Sequence, residues 1–481
     1  MSTTIAAGTL RAAAKSPLFT QALTTRLAST VVARSNDKER VVILGSGWAG
    51  FTLARTLSPK RNDRILISPR SHFVFTPLLA STCAGTLEFR AAIEPVRRLQ
   101  LDEFHPAWAS SIDFVNKTIR VETNTEADAA SATVQVAHEK GQEYEVKYDK
   151  LVLAVGCYSQ TFGIEGVKEH ASFLRDVNDA RRIRLRVLKA FEQASLPQTS
   201  DADRKKLLHF AVVGGGPTGI EFAAELHDLI HEDLAKLYPN IMEHVKITIY
   251  DISAKVLPMF DQNLATYATN LFKRQGIDVM TEHHLLRIRR EGDVLYIKTQ
   301  EEQDEIGASV VVWSTGLMQN PFVGEVLKQT IPGQGAIVKD DRTGGIVTDS
   351  HMRVLVQQGD SDTPKVLPDV FAIGDCAVPQ TQRFPATAQV ANQQATYLAK
   401  QLNRDKIDES KPFSFRNWGT MTYLGNWKAI HQSSADELKG RAAWILWRTA
   451  YLTRSMSIRN KIMIPVYWAI TWIFGRDISR F

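Results

Sequence analysis

Two glycine-rich turns carry the residues best suited to chemistry. Gly45-Ser-Gly-Trp-Ala-Gly50 and Gly214-Gly-Gly-Pro-Thr-Gly219 share the spacing GxGxxG, and each follows an apolar run and opens a helical stretch. In such a turn the first glycine permits the tight bend and the second lets backbone approach a pyrophosphate. The third lets helix and strand pack closely, so that helix N–H groups face the anion. One such turn is weak evidence; two in the same context predict two dinucleotide sites. Asp251 stands at the end of the strand after the second turn. There a carboxylate can bind ribose hydroxyls and repel the 2′-phosphate of NADPH, so it favours NADH, although an ordinary turn aspartate fits as well. The matching place in the first unit is Ser68-Pro69-Arg70, with no carboxylate. Asp375, in a Gly374-Asp375 turn after an apolar run, could anchor the ribityl hydroxyls of a flavin. It could equally cap the helix that includes Ala388 to Gln401.

These residues need particular elements to position them. Arg40–Leu44, Arg64–Ile67 and the end of Tyr144–Val155 read as buried strands, the last closed by Gly156, with a helix over Phe51–Leu57. The plan then repeats: a strand over Leu207–Val213, a long helix from Ile220 towards Leu237, a strand over Lys246–Tyr250, and a strand from Val310 closed by Gly316. Val370–Asp375 is a third strand into a glycine turn, and polar Pro197–Lys206 reads as a crossover. The fold class is therefore α/β, with two Rossmann-like dinucleotide-binding domains and a C-terminal helical segment.

The chain has 481 residues, 44% hydrophobic and 23% charged, with net charge +6. That length suits two or three domains. Lys and Arg are spread without a polybasic block, and no zinc-type pairing or nucleic-acid-reading motif occurs, so neither a metal nor nucleic acid is expected. Cys83, Cys157 and Cys376 lie far apart and form no CxxC pair, as in a reducing compartment. Residues 1–36 carry Arg11, Lys15, Arg26 and Arg34 and no acid before Asp37. This composition suits a mitochondrial presequence; a disordered tail or a chloroplast transit segment shares it. No run of about 18 apolar residues occurs, and Ile462–Phe474 is short and interrupted by Pro465, so no transmembrane helix is expected.

Together these pieces resemble the type II (alternative) NADH dehydrogenases, single-chain flavoproteins of the two-dinucleotide-binding superfamily, from about Val41 to Phe481. Phe73–Leu79, Gly85–Glu88, Val212–Glu221 and Phe371–Cys376 look like family signatures. The most specific is Ala388-Gln-Val-Ala-Asn-Gln393, similar to the AQxAxQ pattern that the family links to quinone. The resemblance implies FAD on Gly45, Gly47 and Gly50 with Asp375 near its ribityl chain, and NADH on Gly214, Gly216 and Gly219 with Asp251 at the ribose. The expected cofactor contacts also include Ser46, Trp48, Ala49, Thr76, Gly156, Gly215, Pro217, Thr218, Gly316 and Gly374. It implies Glu221 close to nicotinamide and flavin, and Gln389 and Gln393, four apart on one helical face, at a quinone head group. Read as bare residues, Glu221 also suits a solvated first-turn carboxylate, and the glutamines solvated amides. Phe89, where many members have proline, and Trp418 and Trp427 depart from the pattern and bear on the shape of the quinone mouth. No EF-hand loop is inserted.

The implied activity is a rotenone-insensitive, non-proton-pumping NADH:quinone oxidoreductase: hydride from NADH to FAD, then two electrons to ubiquinone, with no side-chain nucleophile. The expected domains are a presequence (1–36), a FAD-binding domain in two parts (37–206 and 331–410), an NADH-binding domain (207–330) and a membrane-association domain (411–481). From Lys439 on, Arg441, Arg448, Arg454, Arg459 and Lys461 interleave with Trp444, Trp447, Tyr451, Trp468 and Trp472, a mixture that suits a lipid interface. A helical pair packed on the body or on a second copy is the competing reading. The expected setting is the matrix side of the mitochondrial inner membrane, as a peripheral homodimer. Two rivals are a sulfide:quinone oxidoreductase, for which Cys157 is the one suggestive thiol, and an apoptosis-inducing-factor-like flavoprotein.

Overall fold

The computed structural model describes residues 38–124, 141–359 and 363–480, so the expected presequence lies outside the described residues. Val41–Leu44, β-branched and leucine residues exposed by no more than 1%, form the centre of the first sheet. Five parallel strands run in the order Glu103–His105, Asn62–Ile67, Glu39–Leu44, Lys150–Leu153 and Lys365–Ala372. Antiparallel Arg353–Gln357, Gly335–Ile337 and Thr330–Ile331 extend its edge. Continuous apolar runs suit strands covered on both faces, as the core of a parallel sheet must be.

The second sheet repeats that layout. Ser172–Phe173, Val310–Trp313, His209–Val213, Lys246–Tyr250 and Ile277–Met280 are all parallel, with the glycine-turn strand His209–Val213 in the middle. Each unit also carries a three-stranded antiparallel meander, Ala107–Asp113 to Lys147 in the first and Leu285–Glu291 to Ala308 in the second. In both sheets the glycine turn lies outside the carboxyl end of a central strand whose neighbours connect in opposite directions, the crevice where open α/β sheets bind ligands. Cys157–Ser159 and Leu317–Gln319, which follow the two closing glycines, pair antiparallel and tie the units together.

Several expected elements shift. Tyr144–Val155 is two strands, Glu143–Lys147 in the meander and Lys150–Leu153 in the parallel sheet, because Asp149 breaks the run and accepts a bond from the Arg40 N–H (2.8 Å). Within the expected crossover, Asp201–Leu207 is a helix, capped by Ser200 Oγ accepting from the Asp203 N–H (3.2 Å). The first glycine-turn helix spans Trp48–Thr56, and the second, Pro217–Leu229, continues through a π-turn at Ile230–Leu234. The chain returns to the first unit ahead of residue 331, since Val323 and Val326 of the Pro321–Leu327 helix bury against the first sheet.

At the C-terminal end, strands Thr420–Tyr423, Ala429–Gln432 and Glu437–Gly440 lead into helices Arg441–Arg454 and Ile458–Phe474. Ala443, Trp447 and Ile464 bury in the core. Among the described residues no helix is long and apolar enough to cross a membrane.

Candidate functional site

The first glycine turn is shaped by backbone contact. Gly45 has φ +107°, and a Cβ there would lie 2.4 Å from the Ala154 carbonyl oxygen. A Cβ on Gly50 would come within 1.8 Å of the Gly45 oxygen, so helix and strand meet at a distance only glycine allows. By contrast, a Cβ on Gly47 would meet nothing within 4 Å. Gly47 is the N-cap of its helix, and no side chain caps it. Free helix N–H groups beside open space form an anion site, and no acid in the first turn opposes one.

That space opens into a cleft lined by Ser46, Trp48, Ala49, Thr76, Gly156, Gly374 and Asp375, along with Ser68–Arg70, Cys157, Arg175 and Ala391. The Trp48 indole donates to Thr76 Oγ1 (3.1 Å), and Ser46 and Ser68 hydroxyls pair at 2.9 Å. Arg70, where the second unit has its aspartate, donates to Asp176 (3.0 Å). Asp375 does not cap the Ala388–Leu402 helix; Thr387 does. Asp375 therefore stays in the cleft, where its Oδ2 accepts from the Cys157 thiol (3.0 Å). The Gly374 N–H donates to Gln394 Oε1 (2.7 Å), a buried glutamine that sequence reasoning passed over in favour of its neighbour Gln393.

The second turn has the same geometry. Gly214 has φ +113°, a Cβ on Gly219 would meet the Gly214 oxygen at 2.1 Å, and Gly216 again has open space. Pro217 takes the first helical position, Thr218 is exposed, and no side chain caps the helix. Asp251 Oδ2 accepts from the Gly215 N–H at 2.5 Å and Oδ1 from the Ser253 N–H at 2.7 Å. Its carboxylate thus holds the glycine turn in place. Gly316, φ +75°, packs against Phe162 and Gln160.

Glu221 is not a solvated carboxylate: it is 7% exposed. Its Oε1 accepts from the Tyr423 N–H and the Trp447 indole N–H, both at 3.1 Å. Burial outweighs the two donors and raises its pKa to about 8. Packed rings link it to the first turn: Trp447 on Tyr451 (4.9 Å), Tyr451 on Phe75 (6.3 Å), and Phe75 on Trp48 (5.1 Å).

Gln389 and Gln393 do share a helical face, but both are paired with backbone. Gln389 donates to the Gly419 oxygen (2.8 Å) and accepts from the Trp418 N–H (3.2 Å). Gln393 donates to the Arg416 oxygen (2.8 Å) and accepts from the Arg416 N–H (3.0 Å). They clamp residues 416–419 along the helix, each with one amide hydrogen to spare. The three cysteines are free and buried. Burial pushes the Cys157 thiol up to about 12, against the opposing effect of Arg175, so it is no ready nucleophile. Among the described residues no cluster of three or more potential ligands could hold a metal.

Comparison with known proteins agrees with this layout. Residues 39–395 match the pyridine nucleotide-disulphide oxidoreductase family and residues 418–477 the NDH2 C-terminal domain. A probable NADH dehydrogenase of Dictyostelium discoideum is 40% identical over 92% of both chains. An internal alternative NAD(P)H-ubiquinone oxidoreductase A1, mitochondrial, of Solanum tuberosum is 36% identical, covering 97% of this chain and 94% of that one. The structure of NDH2 from Plasmodium falciparum in complex with NADH superposes with a TM-score of 0.80 at 25% identity, covering 92% of this chain and all of that one.

Proposed function

The chain belongs to the pyridine nucleotide-disulphide oxidoreductase family and carries the NDH2 C-terminal domain, and from that premise we propose that it is a non-proton-pumping NADH:quinone oxidoreductase using FAD. The pair of uncapped glycine turns in one chain carries this reading, because a hydride relay between two dinucleotides needs both. FAD supplies the redox chemistry when bound, accepting hydride from NADH and releasing two electrons to ubiquinone.

The protein supplies position and charge. The N–H groups after Gly47 face the flavin diphosphate, with Ser46, Trp48, Ala49, Thr76 and Gly156 lining its cleft and Asp375 at the ribityl chain. Those after Gly216 face the NADH diphosphate, with Asp251 reaching the ribose and Gly316 closing the strand beside it. Glu221, buried and with its pKa raised to about 8, would stand protonated at neutral pH beside nicotinamide and flavin. Gln389 and Gln393 shape the quinone mouth through the 416–419 segment that they hold.

The working divisions are a flavin domain in two parts, an NADH domain between them and a membrane-facing C-terminal domain. Ile458, Ile462, Val466, Ile470 and Ile473 are all exposed at helical spacing. This stripe suits a lipid surface, which a lipid-soluble quinone requires, on the matrix side of the mitochondrial inner membrane. The sulfide-oxidising reading is not favoured, since Cys157 has no partner thiol and is held protonated.

The test is quinone reduction by purified, flavin-loaded protein with NADH, with sulfide and with neither. Turnover with NADH alone is expected; turnover with sulfide, or colourless protein after refolding with FAD, overturns the proposal. In the Gln393→Leu variant, release of the Arg416 backbone should slow flavin reoxidation by quinone and spare flavin reduction by NADH. Equal slowing of both would take Gln393 out of the quinone mouth.

A further inference from the structure

Among the described residues, the cleft at the first glycine turn is lined by three charged side chains, Arg70, Arg175 and Asp375. Arg70 is already neutralised, since it donates to the buried Asp176 carboxylate (3.0 Å). Arg175 has a softer partner. Its Nη2 donates to Cys157 Sγ (3.2 Å), while its buried Nη1 has no hydrogen-bond partner among the described residues. A buried guanidinium nitrogen is costly for folding unless a further group meets it.

The backbone fixes Arg175 where it stands. The N–H groups of Arg175 and Asp176 both donate to Asp179 Oδ2, each at 3.1 Å, in the capping box that starts the Val177–Ser195 helix. The thiol that accepts from Arg175 also donates to Asp375 Oδ2 (3.0 Å). One sulfur thus stands between a guanidinium and a carboxylate that would otherwise draw together as an ion pair. A thiol is a weak donor and a weak acceptor, so it separates the two charges without using up either. Burial pushes it up to about 12, so it stays protonated and keeps donating.

We infer that Arg175 is the side-chain partner of the flavin diphosphate, and that Cys157 keeps it available by holding it off Asp375. The inference rests on the flavin reading of the first glycine turn. A dinucleotide diphosphate is doubly negative, whereas a helix N-terminus offers only about half a positive charge. The first helical turn, Trp48 to Phe51, contains no cation. One guanidinium closes much of that gap, and its planar fork matches two phosphate oxygens. Arg70 could serve only by leaving the buried Asp176 carboxylate unpaired. Asp375 would repel the same diphosphate and suits the ribityl hydroxyls instead. The sulfur therefore sorts the two charges to two parts of one ligand, the cation to the diphosphate and the anion to the hydroxyls.

FAD release from the diluted holoenzyme, read as free-flavin fluorescence, tests the pairing. Arg175→Met keeps the length without the charge and should raise the apparent Kd for FAD at least about tenfold. Arg175→Lys should recover most of that loss, and added salt should weaken FAD binding less in Arg175→Met than in wild type. Cys157→Ala tests the spacing with two readouts of opposite sign. Without the sulfur, Arg175 and Asp375 can close on each other in flavin-free protein, so its Tm should rise by about 1–2 °C while FAD affinity falls. A packing role alone would lower both. Should Arg175→Met fail to fold, Arg175→Gln replaces it with the same expectation. Unchanged FAD affinity in the uncharged variant overturns the inference, as does an Arg175→Lys variant that binds no better, and a fall in both readouts for Cys157→Ala overturns the spacing. Wild-type protein that retains no FAD would instead overturn the flavin reading.

Discussion

Replacing Glu221 with glutamine should leave stability nearly unchanged at low pH and make the variant the more stable protein as pH rises. The side chain is 7% exposed, and its Oε1 accepts from the Tyr423 N–H and the Trp447 indole. Glutamine offers the same acceptor, so both bonds survive at low pH. The difference lies in ionisation. Burial raises the glutamate from 4.5 to about 8, and at about 1.4 kcal/mol per pH unit this sets a ceiling of roughly 5 kcal/mol against charging it in place. Because the folded pKa is the higher one, the contribution is fully present below the unfolded value and is lost as pH rises through about 8. Wild type and Glu221→Gln should have similar urea midpoints at about pH 5, and the variant should be the more stable by several kcal/mol at about pH 9. A difference that stays constant across that range would show that Glu221 does not titrate there and would remove the basis for its protonated role.

Three further outcomes follow from the same geometry. Gly50→Ala, whose Cβ would sit 1.8 Å from the Gly45 oxygen, should fail to fold a flavin site, whereas Gly47→Ala, with nothing within 4 Å, should fold and lose flavin affinity; thermal melts with flavin absorbance separate the two. Asp251→Asn can keep its bond from the Gly215 N–H (2.5 Å) while losing its charge, so the ratio of kcat/KM for NADPH to that for NADH should rise about tenfold or more; an unchanged ratio would argue for a purely turn-forming aspartate. Ile462→Glu with Ile470→Glu, two exposed positions of the C-terminal stripe, should abolish co-sedimentation with anionic liposomes and leave reduction of a water-soluble quinone intact, and undiminished sedimentation would place lipid contact elsewhere.

What was legible in the sequence is what short-range physics encodes. The two glycine turns announce themselves because the clash that requires glycine arises within six residues, between Gly45 and Gly50 and between Gly214 and Gly219. The strands that feed them end in apolar runs, Val41–Leu44 and Phe210–Val213, and they pair as a parallel core. Glu221 shows the opposite case. The groups that hold it, Tyr423 and Trp447, lie 202 and 226 residues away, so no local pattern could reveal its burial. The glutamine pair was half legible: four-residue spacing fixes a shared face, but their partners are backbone atoms of the irregular 416–419 segment, which leave no mark on side-chain identity.

The C-terminal helices show how one composition can serve two surfaces. Interleaved arginine and tryptophan invites a reading as an interfacial belt. In the fold much of that mixture turns inward: Arg448 lies between Trp444 and Trp468, Trp447 reaches the Glu221 carboxyl, and Arg459 donates to the Arg90 carbonyl oxygen (3.2 Å). The outward residues include a row of aliphatics, Ile458, Ile462, Val466, Ile470 and Ile473, beside Trp472, Phe474, Arg441 and Lys461, which also stay exposed. Removing the whole segment would therefore strip Ala443, Trp447 and Ile464 from the core and release Glu221 from one of its donors. Any lost membrane binding would then be inseparable from lost packing. Charges placed on the stripe act on the outer surface alone, because none of its members is buried.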